Sequence, residues 1–278
     1  MNKILLVLVA IFFSFPSFAQ QVIESDQQLN LYNSQLKVVH SNIVNDDYYI
    51  YISLPDDYGS SSKSYPVLYL LDGDMSFGMA TSIARYLQFS DNIPELIVVG
   101  IGYGALKSSN GNARRRDFTF SEVPNRSDFG GATKFITFIR DELFPFIDST
   151  FRTDQGDRTI NSYSLGGLLA SYILFTEPEL FNRYIIGSPH LTSDNSKIFD
   201  VQENAFNTFT DITAKVFISV GSEESDDEYF NPIDQLVSEI NNKAYPGLQM
   251  ETKVFDGGTH LLCPPEALSY GLISVFGE

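Results

Sequence analysis

The chain has 278 residues, of which 43% are hydrophobic, and it carries a formal net charge of -17 with one cysteine and no tryptophan. This acidic excess argues against nucleic acid as a partner, because phosphate contacts need clustered lysine and arginine. The single cysteine, Cys263, excludes an intrachain disulfide and a cysteine-built metal site. The length fits one large α/β domain better than two small ones.

Residues 1–19 have the pattern of a secretory signal peptide. Lys3 precedes an apolar run over 4–15, and Ser17-Phe18-Ala19 supplies a cleavage site of small residues. The run is short for a membrane span, and an uncleaved N-terminal anchor is the alternative. We therefore predict one domain over 20–278, periplasmic or extracellular, with no stable membrane association once the leader is removed.

Eight segments have the composition of β-strands. The first two alternate polar and apolar residues, which predicts an antiparallel pair. The later ones are short, continuous apolar runs, which are typical of strands buried on both faces. The predicted strands cover 36–44, 48–55, 66–73, 95–103, 158–164, 183–189, 215–222 and 249–257.

Helical patterns alternate with these strands. Apolar residues recur at helical spacing over 132–148 and again over 233–242. Such alternation predicts an α/β protein with a mostly parallel sheet covered by helices on both faces. Ligand chemistry in such a sheet lies at the carboxyl ends of the strands.

The fifth predicted strand ends in NSYSLGG, residues 161–167. A nucleophilic serine stands on a strained strand-to-helix turn, with small residues two positions before and after it. Ser164 has Gly166 at the later position, whereas Ser162 has no glycine two residues on. Ser162 occupies the earlier position, where glycine is usual, and we expect its side chain only to crowd the turn. The alternative is an ordinary tight loop.

A serine nucleophile needs a base, and the chain contains three histidines. His260 follows the last predicted strand in a glycine-rich loop, which is where the base belongs in a serine–acid–histidine chain order. His190 follows the sixth strand and is the second candidate for the base, or for the pocket wall. His40 lies in the N-terminal strand pair, and we expect a structural role for it.

The acid and the oxyanion donors are less defined by the residues alone. Carboxylates crowd the loop after the seventh strand, and spacing does not choose among them. They are Glu223, Glu224, Asp226, Asp227 and Glu228. One oxyanion N–H should come from Leu165, directly after the serine, and the other from Gly73 or Asp74 after the third strand.

Several segments in order resemble the putative-esterase (esterase D-like) family of α/β-hydrolases, closest to its siderophore-esterase branch. They include RDFTFSE (116–122), DRTINSYSLGG (157–167), SVGSEE (219–224) and GGTHLLCPP (257–265). The resemblance implies an α/β-hydrolase fold, with Ser164 as nucleophile, His260 as base and Glu224 as acid, and Asp226 in reserve. The family usually has Gly-His where this chain has Ser162-Tyr163, and often an aromatic-rich segment after the sixth strand.

These features predict a secreted serine esterase that works through an acyl-enzyme, without cofactor or metal. The expected substrate is a small-molecule or glycan-linked ester, either a siderophore or an aryl or acetyl ester. We expect Tyr163, His190 and Arg116 to contact it, since the basic cluster 114–116 suits an anion. The alternatives are an acyltransferase with the same chemistry and a catalytically silent binding protein.

Overall fold

The computed structural model describes residues 31–277. The predicted leader over 1–19 and the predicted start of the domain at residue 20 lie outside the described residues. Within 31–277, the structure contains no helix that is long and apolar enough to span a bilayer.

The strands form one eight-stranded sheet in the order β1-β2-β4-β3-β5-β6-β7-β8. The pairs β1–β2 and β2–β4 are antiparallel, and every other neighbouring pair is parallel. The predicted antiparallel start and parallel remainder are therefore confirmed. The strands are β1 (Ser34–Ser41), β2 (Asp46–Ser53), β3 (Tyr65–Leu70), β4 (Ile97–Gly102), β5 (Thr153–Tyr163), β6 (Arg183–Gly187), β7 (Ala214–Gly221) and β8 (Leu248–Phe255).

Over residues 31–277, eight α-helices lie between the strands and after the last one. They are α1 (Gly73–Phe89), α2 (Arg114–Phe118), α3 (Ala132–Phe138), α4 (Phe144–Thr150), α5 (Leu165–Thr176), α6 (Ile198–Thr208), α7 (Asn231–Lys243) and α8 (Pro264–Phe276). A π-helical segment, Ile139–Leu143, joins α3 to α4, so the predicted helix over 132–148 is three consecutive pieces. A second π-helical segment, Asp226–Phe230, leads into α7.

Helix α1 was not predicted from the sequence, which indicated a loop after the third strand. Asp72 has a left-handed backbone (φ 55°, ψ 42°) and turns the chain directly into this helix. Gly73 fits because a Cβ there would lie 2.8 Å from the backbone of Gly100 and Ile101. Close packing of α1 on β4, a contact distant in sequence, therefore replaces the expected loop.

The central strands β3, β4, β6 and β7 are buried on both faces, as the continuous apolar runs predict, whereas the edge strands β1 and β8 are largely exposed. Val67 and Tyr69 of β3 belong to one buried cluster, while Leu68 and Leu70 belong to the other. The first cluster lies under α3, α4 and α5, and the second lies under α1 and α8. Because the strands from β3 onward run parallel, the segments that leave their carboxyl ends meet along one edge of the sheet.

Candidate active site

Ser164 stands on a sharp turn between β5 and α5. Its backbone has φ 57° and ψ -120°, a region that residues with a Cβ rarely occupy. Three backbone hydrogen bonds fix this conformation: the Ser164 N–H donates to Gly187, and the Ser164 carbonyl accepts from Leu168 and His190. The strained turn points the hydroxyl away from the sheet edge, as a nucleophile elbow requires.

The small residues around this turn have different roles from those expected. Ser162 is buried, and its hydroxyl donates a 3.0 Å hydrogen bond to the Ile185 carbonyl, so it does not merely crowd the turn. A Cβ on Gly167 would lie 2.8 Å from the Pro189 Cα, whereas the nearest atom to a Cβ on Gly166 is 3.4 Å away. Gly167 is therefore the glycine of the elbow that the packing requires most strictly.

Three side chains are joined by hydrogen bonds at the carboxyl edge of the sheet. His260 Nε2 lies 2.9 Å from Ser164 Oγ, and His260 Nδ1 lies 2.7 Å from Glu224 Oε2. Glu224 follows β7 and His260 follows β8, so three separate connections supply the set. Neutral imidazole in this position can accept the serine proton, and a carboxylate behind it stabilises the imidazolium that results.

Burial separates Glu224 from the other carboxylates of its loop. The Glu224 side chain is 1% exposed, whereas Glu223, Asp226, Asp227 and Glu228 are all exposed. Burial by itself would raise the pKa of Glu224, but hydrogen bonds from His260, Ser188 and the Gly221 N–H outweigh it and hold that pKa below its usual value. Glu224 is therefore an ionised carboxylate that is held in place.

The loops that carry the acid and the histidine are bound to each other. The Glu223 N–H donates to the Gly258 carbonyl, and the Gly257 N–H donates to Ser222 Oγ. Gly257 has a φ of 67°, which a side chain would disfavour. The glycine-rich approach predicted for His260 therefore gives a fixed link between the two loops.

Aromatic rings flank the imidazole of His260. The ring of Tyr163 is centred 5.1 Å away and that of Tyr229 4.7 Å away. Tyr229 also stacks on His190 at 5.4 Å. Sequence reasoning missed Tyr229, because it lies in the second π-helical segment, within a run that reads as a solvated acidic loop.

Backbone N–H groups converge near the serine from two helix starts. Leu165 is the first residue of α5, and Gly73 and Asp74 are the first two of α1. The starts adjoin, since a Cβ on Gly166 would lie 3.4 Å from the Leu71 side chain. Among the described residues, none of these three N–H groups has an acceptor. They are therefore free to donate to an oxyanion.

The Asp74 side chain has a separate structural role. Its carboxylate accepts from the Tyr51 hydroxyl at 2.8 Å and from the N–H groups of Tyr103 and Gly104 at 2.6 and 2.8 Å. The start of α1 is thereby tied to the loop after β4.

Arg114 clamps the left-handed residue that opens α1. Its guanidinium donates two hydrogen bonds to the Asp72 carboxylate, at 2.7 and 2.9 Å. Bidentate pairing of this kind fixes orientation as well as charge. The pair holds the segment that leads to Gly73 and Asp74 against the elbow.

A cavity of about 630 Å³ opens beside the serine. Ser164, Leu165 and His190 line it, together with a basic wall of Lys107, Arg114 and Arg115. A larger cavity of about 950 Å³, near Phe144 and Phe209, contains none of these residues. The smaller cavity is the candidate substrate site because Ser164 lines it.

Two residues expected to contact substrate have other partners. The Arg116 guanidinium binds the buried Asp117 and Asp46, and it does not line the cavity. Tyr163 packs on His260, and its hydroxyl bonds to Ser188. Arg116 therefore ties α2 to β2, and Lys107 and Arg115 are basic residues that do line the cavity.

A model of the putative-esterase family matches residues 41–260. The chain belongs to this family. Over 172 residues it is 36% identical to the ferri-bacillibactin esterase BesA of Bacillus subtilis, an alignment that covers 57% of this chain. The aligned region spans 58% of that relative's length, which is less than two thirds.

Two solved structures extend the likeness of this putative-esterase family member. The BES protein from Bacillus cereus is 28% identical with a TM-score of 0.81, covering 92% of this chain and 99% of its own. The IroE-like serine hydrolase from Shewanella oneidensis is 26% identical with a TM-score of 0.78, covering 87% of this chain and 80% of its own. Together with the strand order, these matches show the α/β-hydrolase fold that the sequence predicted.

Proposed function

We propose that this chain is a serine carboxylic-ester hydrolase. The observation that carries the proposal is the continuous hydrogen-bonded set Ser164–His260–Glu224 beside a substrate-sized cavity. Membership of the putative-esterase family supports the reaction class. Each member of the set also has the environment that its role requires, with a strained serine, a flanked imidazole and a buried carboxylate.

The reaction begins with attack by Ser164 Oγ on the ester carbonyl. His260 Nε2 takes the serine proton, and Glu224 stabilises the imidazolium. The N–H of Leu165, together with that of Gly73 or Asp74, binds the oxyanion. The imidazolium then gives its proton to the leaving alkoxide, which departs as an alcohol. Water, deprotonated by His260, attacks the acyl-enzyme. The imidazolium then returns this proton to Ser164 Oγ as the bond to the acyl carbon breaks, so the carboxylic acid product leaves and Ser164 and neutral His260 are regenerated.

The substrate class that best fits the cavity is an anionic siderophore ester. Lys107 and Arg115 line the same cavity as the serine. Lys107 has no ion-pair partner among the described residues, whereas Arg115 pairs with Asp128 at 3.4 Å. The name of the Bacillus subtilis relative, a ferri-bacillibactin esterase, agrees with this class. A panel of siderophore, feruloyl and acetyl esters tests it, and the highest kcat/KM on an acetyl ester would overturn it.

We also propose that the protein is exported from the cytoplasm. The pattern of residues 1–19 supports secretion to the periplasm or the exterior, where an iron-carrier ester would be met. Mass spectrometry of the protein recovered after expression with its leader tests this. We expect a mature N-terminus at Gln20 or Gln21, and an intact Met1 in the exported fraction would contradict cleavage.

The deciding experiment for the activity is pre-steady-state hydrolysis of a p-nitrophenyl ester. We expect a burst of one p-nitrophenol per active site, followed by slower turnover, because an activated ester acylates the serine faster than water removes the acyl group. A fluorophosphonate probe should label Ser164 and no other serine. If burst and labelling were both absent in folded protein, the chain would be a binding protein of the same fold.

A further inference from the structure

We infer that the hydroxyls of Tyr163 and Ser188 form a hydrogen-bonded chain that orients the Glu224 carboxylate and stabilises its ionised form. Tyr163 and Ser188 are therefore positioning residues for the proposed reaction. Neither hydroxyl is near the ester in the mechanism above, and the inference rests on the proposed function only for its kinetic readout. Tyr163 occupies the position where the family usually has histidine, so this chain has its own arrangement.

The contacts run in one line from the elbow to the base. Tyr163 Oη lies 2.9 Å from Ser188 Oγ, and Ser188 Oγ lies 2.5 Å from Glu224 Oε1. The other carboxylate oxygen, Oε2, binds His260 Nδ1 at 2.7 Å. Ser188 is fully buried, and the Glu224 side chain is 1% exposed. The short contact to Glu224 has the length of a charge-assisted O–H···O bond.

The direction of each hydrogen bond follows from proton counting. An ionised Glu224 has no proton to give, so Ser188 must donate its only hydroxyl proton to Oε1. Ser188 Oγ can then only accept from Tyr163, which fixes the phenol as the donor. Burial raises the pKa of Tyr163, which keeps the phenol protonated. Donors in series polarise each other, and Tyr163 thereby strengthens the bond from Ser188.

The backbone leaves room for the hydrogen bond between Tyr163 and Ser188. Tyr163 and Gly187 face each other in the β5–β6 register, and a Cβ at residue 187 would lie 2.5 Å from the Tyr163 ring. Ser188 has a φ of 37°, and its N–H donates to the Ser219 carbonyl at 2.7 Å. The end of β6 is thus shaped so that the phenol of Tyr163 reaches Ser188.

The second donor to Oε1 comes from the acid's own loop. The Gly221 N–H donates to Glu224 Oε1 at 2.9 Å. With Ser188 and Gly221 both bound to Oε1, the carboxylate can rotate only by breaking two hydrogen bonds. Oε2 is therefore held toward His260, and the imidazole is held with Nε2 toward Ser164.

Other ionisable groups surround the imidazole. Tyr163 from β5, Tyr229 from the π-helical segment and Glu224 from the loop after β7 are in direct or ring contact with it. Further groups act on these neighbours from the adjoining elements: His190, Glu228, Cys263 and Glu266. Among the described side chains, only Ser188 donates to Glu224 Oε1, and Tyr163 donates in turn to Ser188, so removing either hydroxyl should shift the pH midpoint of His260 in one direction.

The direction of the shift in the His260 midpoint follows from the positive end of each O–H dipole. A donor aimed at Glu224 adds positive potential near the imidazole and disfavours the imidazolium. Its loss lets His260 keep its proton to higher pH, so the acid limb of the pH–rate profile moves upward. Turnover also falls, because the carboxylate is less firmly oriented, while KM changes little since neither hydroxyl touches substrate.

The test uses Tyr163→Phe, which keeps the ring on His260, Ser188→Ala, and the double variant. The matched control is Tyr184→Phe, another buried tyrosine of the sheet, whose hydroxyl faces the Pro178 carbonyl outside the site. The pH midpoint of the His260 ring signal is followed by NMR, and kcat and KM are measured on a p-nitrophenyl ester. With three histidines in the chain, His40→Gln and His190→Gln assign the signals.

We expect the His260 midpoint to rise in both single variants, more in Ser188→Ala, with kcat lowered about tenfold there and about threefold in Tyr163→Phe. The double variant should match Ser188→Ala, because Tyr163 acts only through Ser188. The control should match wild type. An unchanged midpoint in Tyr163→Phe, or a double variant equal to the sum of the singles, would overturn the inference.

The design separates two kinds of failure. NMR needs no turnover, so it tests the hydroxyl chain even in a protein without esterase activity. A missing p-nitrophenol burst in wild type would contradict only the proposed function. If Ser188→Ala does not fold, Tyr163→Phe alone decides, since it removes one oxygen and no packing surface on His260.

Discussion

Tyr163 and Gly187 lie opposite each other on β5 and β6, and the ring of one occupies the space that a side chain on the other would need. We predict that Gly187→Ala lowers the free energy of unfolding by about 1–3 kcal/mol, because a Cβ would force the tyrosine ring to move. Gly156→Ala is the control, since its Cβ would meet only the Asp154 side chain at 3.5 Å. Urea unfolding compares them, and equal midpoints would contradict the packing argument.

The two serines of the elbow should behave differently on substitution. Ser164→Ala should lower kcat by about 10³-fold or more while the protein stays folded, because the attacking atom is removed. Ser162→Ala should keep most activity and lose about 1 kcal/mol of stability, since only its bond to the Ile185 carbonyl is lost. Ester hydrolysis and thermal unfolding measure both. A reversed pattern would place the nucleophile at Ser162.

Glu224→Gln should lower kcat by about 10³–10⁴-fold. The Ser188 hydroxyl and the Gly221 N–H both donate to Oε1, so the glutamine oxygen must face them and its NH₂ must face His260. An amide donor there places the imidazole proton on Nε2, where it cannot accept from Ser164. Asp226→Asn is the matched control on an exposed neighbour and should resemble wild type. If kcat fell strongly in Asp226→Asn and stayed near wild type in Glu224→Gln, Asp226 would be the acid instead.

His190 should make the fold less stable in mild acid. Burial and the neighbouring His260 lower the pKa of His190 below its usual value of 6.5. The unfolded chain therefore binds a proton that the folded protein resists, and stability is lost as the pH falls below about 6.5. His190→Gln should lose less melting temperature than wild type between pH 7 and 5. If wild type and His190→Gln lost the same melting temperature between pH 7 and 5, His190 would have the same pKa in the folded and unfolded protein.

The basic wall should select for anionic esters. Lys107→Ala is expected to raise KM about threefold on an anionic ester and not on a neutral one, because an exposed charge contributes modestly. High salt should produce the same loss in wild type. Lys134→Ala, at an exposed position of α3, is the control. Equal KM changes on both esters would remove charge recognition from Lys107.

Much of the site was predictable because its residues follow directly from strand ends. Ser164 and His260 were assigned from their turns and chain order, and the structure places their side chains 2.9 Å apart although 96 positions separate them. The choice of Glu224 needed the family resemblance. The structure supplies its physical basis, which is burial of one carboxylate in a loop where the others are exposed.

The parts that were not predictable depend on contacts between distant segments. Arg116 and Arg114 look equivalent in RRRDF, but the first binds the buried Asp117 and the second clamps Asp72 beside the elbow. Helix α1 was missed because its start depends on the packing of Gly73 against β4. Tyr229 was missed because its segment is dominated by exposed acids, and its ring reaches His260 only when the segment is π-helical.

The sequence by itself determined the succession of strands along the chain, the mostly parallel sheet, and the elbow with its histidine, because these follow from local apolar periodicity and turn composition. Only the tertiary structure decided which carboxylate is ionised and buried, which arginine faces the cavity, and which hydroxyls stand behind the acid. The reason is physical: charge, burial and hydrogen-bond direction at Glu224 depend on Ser188 and Tyr163, which lie 36 and 61 positions away in the chain and meet it only across β5, β6 and β7.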